Sequence, residues 1–399
     1  MVDRLVTAFR TNLAFAATLV WAATRAITTV LFLVAASIQG DNYWTKANPP
    51  YFDFLNIWDA EWYWRIFDHG YPLELPLSGT GQVLQNEWAF MPVFPGLVKA
   101  LNLATGVEFK FLAPLLSTVF SFAAAVVIVR IFERYLSRGQ ALWALALVGL
   151  WCASPVLQVG YAESLGLLLL ALALWLTIER NYLLALLPMA VLAFTRPGVL
   201  ALSLMLAALW LIRWWQARTE PTTFATRERI TLALSAVTSG VLGLGWTIAA
   251  AVATGRPDAY LATEMAWRSI YVGTTSFAPF EGWIASFDHH FGSGFGLVAL
   301  ALGVAIIAWM LKAETMQKLG LELRLWVASY SLYLLAVFFP QSSTFRLALP
   351  LFALAGALAL ATSRASKSVK ILLVLSLIAL QFAWMLACWV YVAPDFTPP

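Results

Sequence analysis

The chain has 399 residues, of which 61% are hydrophobic and 12% charged, and its formal net charge is +4. Soluble domains carry about 25% charged residues, and no soluble core absorbs apolar runs of membrane-spanning length repeated along a whole chain, so the bilayer is the solvent these runs imply. Lys and Arg fall in short loops rather than in one patch, which speaks against nucleic acid as a partner.

In chain order, Met1-Val2-Asp3-Arg4 and Arg10 lead into an apolar stretch from Leu13 to Ile38. A cleavable signal peptide has an apolar core of about 7–15 residues, so this longer stretch is expected to stay as a first span. Further membrane helices are expected at 109–132, 139–158, 161–178, 182–196, 198–213, 230–254, 294–312, 323–339, 345–363 and 370–391. That makes eleven spans, some short enough to tilt or to penetrate only in part. Residues 91–104 are apolar but too short to cross, and suit an amphipathic helix in the outer interface. Pro197, in Thr195-Arg196-Pro197-Gly198, breaks a helix. Cys152 and Cys388 lie inside expected spans as small hydrophobes and belong to no metal or redox motif.

Charge orients this layout. With the N-terminus in the cytoplasm, Arg4, Arg10, Arg130, Arg134, Arg138 and the later short basic loops stay inside, while Asp41, Asp53, Asp59, Glu61, Asp68 and further acids as far as Asp395 fall outside. The expected fold class is an all-α polytopic integral membrane protein, one domain over 1–399, with long extracytoplasmic loops at 39–108 and 255–293. The compact length and an end at Phe396-Thr397-Pro398-Pro399 without a retention signal favour a bacterial plasma membrane. Arg25, deep in the first span, is expected to pair with an acid or to contact a lipid phosphate. Arg25 and the break at Pro197 suit a lipid or solute transporter, whereas the lack of an internal repeat weighs against one.

Chemistry concentrates in Phe52-Asp53-Phe54-Leu55-Asn56-Ile57-Trp58-Asp59-Ala60-Glu61-Trp62-Tyr63-Trp64-Arg65-Ile66-Phe67-Asp68-His69-Gly70-Tyr71-Pro72. A helix over Trp58 to Phe67 puts Asp59, Trp62, Tyr63 and Ile66 on one face. A carboxylate standing among aromatic rings at a membrane surface is partly desolvated, and that makes it a better base. The plainer account is interfacial: Trp and Tyr gather at membrane surfaces whatever a protein does. The density of acid, Trp, Tyr, Arg and His in one stretch favours a functional site.

Four segments in order carry a family likeness. Trp58-Asp59-Ala60-Glu61-Trp62-Tyr63, with Arg65-Ile66 and His69-Gly70-Tyr71-Pro72, resembles the first-loop motif of PIG-V-type mannosyltransferases, members of the GT-C class of membrane glycosyltransferases. Trp88-Ala89-Phe90-Met91-Pro92-Val93-Phe94-Pro95, Tyr161-Ala162-Glu163-Ser164-Leu165 and Thr195-Arg196-Pro197 follow as in that family. The likeness covers residues 50–200; beyond them only Arg346, near Pro350, matches. Where the family often has Arg before the Trp-Asp pair, Ile57 stands here.

The resemblance implies a GT-C-like domain that transfers mannose, with inversion, from polyprenyl-phosphate mannose to a glycolipid or lipoglycan hydroxyl on the outer face, without metal or other cofactor. A lipid-borne donor also suits an outward site, because nucleotide sugars are made in the cytosol. Asp59 is the expected base, with Glu61 second because residues two apart on a helix point apart; read without the family, the two acids also suit a short metal-binding pair. Glu61, Trp62, Tyr63, His69 and Glu163 are expected around sugar and acceptor, Glu163 serving equally as a structural partner of Arg196. For the donor phosphate, Arg346 leads, since a guanidinium offers a planar permanent charge; its competing role is a snorkelling anchor. Arg196, Arg268 and His289 follow. Another lipid-linked sugar, such as a pentose, and a protein acceptor stay open.

Overall fold

The computed structural model describes residues 7, 9, 11–220, 223–273, 277–391 and 397–399. Arg4, Arg10 and Asp395, which entered the orientation argument, lie outside the described residues, as do Met1, Val2, Asp3 and Phe396.

The longer helices are α1 Leu13–Ile38, α2 Asp59–His69, α3 Val93–Thr105, α4 Phe109–Glu133, α5 Arg138–Gly149, α6 Glu163–Ile178, α7 Tyr182–Ala193, α8 Val199–Thr219, α9 Thr226–Gly243, α10 Gly245–Thr254, α11 Ala259–Val272, α12 Glu281–Phe291, α13 Phe295–Lys312, α14 Gly320–Val337, α15 Ala353–Ala361 and α16 Lys367–Trp384. Among the described residues the one β contact is an isolated bridge between Leu77 and Val83. The chain is an all-α integral membrane protein. Among the described residues, six helical stretches are long and apolar enough to cross a membrane: Leu13–Ile38, Phe109–Glu133, Val199–Thr219, Thr226–Thr254, Phe295–Lys312 and Lys367–Trp389. Helix α13 leaves Leu297, Val298, Leu302, Ile306 and Trp309 exposed, an apolar surface that only lipid solvates well.

The other five expected spans are helical too, but of different build. Helix α14 carries Glu322 and Arg324 in its first two turns, and α6 and α7 are shorter than expected. The segment at 345–363 is cut into Thr344–Leu347, a 3-10 turn holding Pro350, and α15, because proline removes a backbone donor and clashes with the preceding turn. The segment at 139–158 stops at Gly149 and resumes as a 3-10 turn over Ser154–Gln158.

Arg25 explains that last break and corrects the expectation for its partner. Among the described residues it pairs with no acid. Its guanidinium donates to the carbonyls of Ser154 at 2.7 Å and Gly149 at 2.6 Å, and to Ser154 Oγ at 3.0 Å. Broken backbone inside a bilayer is tolerated only where protein groups satisfy it. Gln381 completes the knot: its Nε2 donates to Ser154 Oγ at 2.8 Å and its Oε1 accepts from Thr28 Oγ1 at 2.8 Å. The break lets residues 159–162 run against the long loop at 39–108 before α6 begins.

The two long loops meet where Asn86 Nδ2 donates to Thr263 Oγ1 at 3.0 Å, and α10 holds the first of them through Trp246 Nε1, which donates to the Trp88 carbonyl at 2.9 Å. The short amphipathic helix expected over residues 91–104 is α3, which runs from Val93 to Thr105, with Phe94, Pro95 and Val98 buried.

Candidate active site

Helix α2 begins on a strained residue. Trp58, its N-cap, has φ +60° and ψ −122°, a region that costs a non-glycine residue about 1–3 kcal/mol and is found where surrounding structure enforces it. The Trp44 ring enforces it from one side, with centroids 4.5 Å apart, and Tyr391 from another at 5.8 Å. The helix therefore starts at Asp59, not at Trp58 as its sequence suggests. The Asp59 backbone N–H donates to Tyr161 Oη at 3.1 Å. Below it, Gly160 N–H donates to the Leu55 carbonyl at 3.2 Å. A Cβ on Gly160 would run into Asn56 Oδ1, so glycine is what lets the two turns approach.

Four charged side chains from separate parts of the chain meet here. Arg346 Nη1 donates to Asp59 Oδ2 at 2.5 Å. Its Nε lies 3.4 Å from Glu163 Oε1, and Arg196 Nη1 lies 3.3 Å from the same oxygen. The side chains are 16% exposed for Asp59, 9% for Arg346, 6% for Glu163 and 18% for Arg196. Two cations and two anions thus share a desolvated corner, an arrangement that needs close pairing to be tolerated. The Arg346 guanidinium also lies 5.4 Å from the centroid of the Tyr161 ring, a cation–π contact. Such burial and pairing set Arg346 apart from a snorkelling anchor, whose head stays in water.

Behind the quartet lies a cavity of about 50 Å³, with Glu163, Arg196 and Arg346 at its head and Leu167, Leu170, Leu192, Trp326 and Leu349 among its walls. Its lining combines charged and apolar side chains, and as it stands it has room for a few waters.

The remaining expected residues divide. Tyr63 is buried and neighbours Arg196 electrostatically; burial pushes its phenol above the ordinary range, so it acts as a hydrogen-bonding group rather than a base. Trp62 stacks on Phe90 with centroids 5.8 Å apart, and Arg65 covers it at 4.5 Å. Glu61 points elsewhere: it accepts from Trp44 Nε1 at 2.7 Å and pairs with Arg65. His69 sits at the far end of α2, about 15 Å along the axis from Asp59, exposed beside Asp68 and Glu87. Arg268 is buried but donates to the Val337 carbonyl at 2.6 Å and lies against Phe277 and Phe339. His289 is exposed on α12 beside His290. Among the described contacts, none joins His69, Arg268 or His289 to the quartet directly.

Helix α11 adds two residues that sequence reasoning passed over. Trp267 packs edge-on against Trp62 at 5.2 Å. Glu264, half-buried, is hydrogen-bonded to Tyr260 and faces Arg196, Arg268 and Asp59; burial, the largest cause, pushes its carboxyl up to about 7. Neither belongs to a motif in the resemblance. The one available signal was an acid beside a Trp in the second outer loop.

The Glu264 shift has a checkable consequence. Its folded value lies above the ordinary 4.5, so the native state holds a proton that the unfolded chain releases between about pH 4.5 and about pH 7. Folding stability therefore falls as pH rises through that window. Glu264→Gln is expected to flatten that part of the slope, as thermal midpoints across the window will show; matching slopes in both proteins would refute it.

No family model matches the sequence, and no curated protein matches it. Among solved structures, the chain is similar to the Archaeoglobus fulgidus oligosaccharyltransferase, crystallised with a disulfide-tethered acceptor peptide containing the NVT sequon. Identity is 12% and the TM-score 0.44 over 95% of this chain and 56% of that one. The chain thus spans about half the length of that relative.

Proposed function

We propose that this protein is a membrane glycosyltransferase of GT-C type that transfers mannose from polyprenyl-phosphate mannose to a glycolipid or lipoglycan hydroxyl on the extracytoplasmic face, with inversion and without a metal. The observation that carries this reading is the charged quartet, three of whose members, Glu163, Arg196 and Arg346, line a cavity that also has leucine and tryptophan walls. A phosphorylated lipid offers matching groups: an anion for Arg346 and Arg196, and a hydrocarbon tail for the leucines.

In the proposed reaction Asp59 accepts the proton of the acceptor hydroxyl as its oxygen attacks the anomeric carbon. The bond from that carbon to the phosphate oxygen breaks, and polyprenyl phosphate leaves with one more negative charge. Arg346 and Arg196 stabilise that developing charge in a site of low dielectric. Trp267, edge-on to Trp62, supplies an aromatic face for the sugar, and Trp62 and Phe90 back it. The transporter reading leaned on Arg25 and the break at Pro197, yet Arg25 bonds to backbone carbonyls and Arg196 pairs with Glu163.

Purified protein in lipid vesicles, given polyprenyl-phosphate mannose, glucose or pentose with glycolipid or peptide acceptors, tests the proposal. Mannose is expected on the glycolipid, at the same rate with a chelator present. Transfer of a different sugar alone, or to peptide alone, would replace the substrate assignment. No transfer from any donor would overturn the enzyme reading.

A further inference from the structure

The proposed reaction asks two things of Arg346 and Asp59 that the structure sets against each other. Arg346 is to hold the donor phosphate, and Asp59 is to take the acceptor proton, yet the two are bound to each other at 2.5 Å. While Arg346 Nη1 holds Asp59 Oδ2, that oxygen is occupied and is not free to take a proton from an acceptor hydroxyl. A guanidinium already paired is a weakened phosphate site. The cavity beside them, about 50 Å³, is also too small in this arrangement for a sugar phosphate.

We infer that Asp59 is an internal competitor for the donor-phosphate site, and that a lipid phosphate frees it as a base by taking its place on Arg346. Glu163 is the positioning residue that makes the exchange workable. It lies within 3.4 Å of both guanidinium groups, and both its oxygens and Arg346 Nε lack a hydrogen bond. Glu163 therefore acts as a central counter-charge that keeps Arg196 and Arg346 side by side when Asp59 departs. Gly166, one turn along α6, completes the cradle: a Cβ there would lie 2.9 Å from Arg196 Cγ, so the arginine stem rests in a notch that only glycine leaves open.

The charges support the exchange. A phosphodiester monoanion replaces a carboxylate monoanion on Arg346, so that contact keeps its balance. When the sugar departs, the phosphate gains a second negative charge as Asp59 gains a proton, and two neighbouring arginines are there to meet it. Base and leaving-group site are thereby coupled: the base is released only when a donor is present.

The inference rests on the proposed function for its ligand, but its test does not use sugar transfer. Binding of sugar-free polyprenyl phosphate to the full chain in vesicles is compared for wild type, Asp59→Asn, Gly166→Ala and, as a control, the surface change Asp53→Asn. Removing an internal competitor raises the fraction of sites ready to bind, so Asp59→Asn is expected to bind about tenfold more tightly while Asp53→Asn stays at wild-type affinity. Gly166→Ala, which displaces Arg196, is expected to bind several-fold more weakly; being independent of Asp59, it keeps the idea testable should Asp59→Asn fold poorly. Affinity for Asp59→Asn equal to or below wild type, or unchanged affinity in Gly166→Ala, would overturn the inference. Inorganic phosphate is the second arm: if it competes at concentrations similar to the lipid, the site is one for free phosphate and the lipid assignment falls. If no sugar is transferred yet Asp59→Asn still tightens polyprenyl phosphate binding, the exchange stands and only the reaction assignment is lost.

Discussion

Asp59→Asn is expected to reduce mannose transfer by about 10²–10⁴-fold, the usual worth of a general base. Asparagine keeps the size of the side chain and an oxygen that still accepts from Arg346, but it cannot take a proton. Because Glu163 remains as a counter-charge for Arg346, the thermal midpoint should fall less than in Arg346→Ala, and a single-turnover assay with labelled donor should isolate the lost step. The proposed reaction assigns the proton transfer to one carboxylate because its neighbours are committed: Glu61 to Trp44 and Arg65, and Glu163 to two arginines. Unchanged transfer in Asp59→Asn would remove it from the mechanism and make Glu264 the next residue to test.

Arg346→Ala should cost both stability and activity. Its removal leaves Asp59 and Glu163 as facing carboxylates in a desolvated corner, and breaking a buried pair from one side costs about 3–5 kcal/mol. Transfer should fall about 10²–10³-fold through loss of charge stabilisation on the leaving phosphate. Arg346→Lys keeps the charge without the planar fork and should recover part of the stability. Denaturation midpoints and transfer rates on the same preparations check all of this. A surface anchor behaves differently, since exposed ion pairs contribute at most about 1 kcal/mol; a loss that small would return Arg346 to that role.

Runs of apolar residues made the long helices legible, because the bilayer demands length and hydrophobicity and both are local properties. Leu13–Ile38 and Phe109–Glu133 fall where their composition puts them. The broken segments were harder to read. Gly149 and Ser154-Pro155 are local signals of a break, but nothing nearby shows what satisfies the freed carbonyls, since that group is a guanidinium in the first helix. The site shows the same division. Asp59, Glu163, Arg196 and Arg346 each stood out singly, but the ion pair between Asp59 and Arg346 joins positions 287 apart in the chain, and no periodicity encodes such a meeting. Glu264 went unremarked because an acid in an outer loop is ordinarily solvated, and only the packing of α11 across α2 takes it out of water. Trp58 was legible as an aromatic but not as a strained residue, because its backbone angles are set by the rings of Trp44 and Tyr391.

The knot around Arg25 also bears on how the protein is made. Ser154 follows Arg25 by 129 residues and Gly149 follows it by 124, so the first helix is synthesised long before the carbonyls that will hold its guanidinium. A central arginine raises the cost of inserting a helix by about 2.5–3.5 kcal/mol, which the apolar remainder of Leu13–Ile38 must outweigh alone. The nascent chain thus holds an unmet charge in its first helix until the fifth arrives, and only then does the turn that carries Tyr161 and Glu163 have a floor to fold upon.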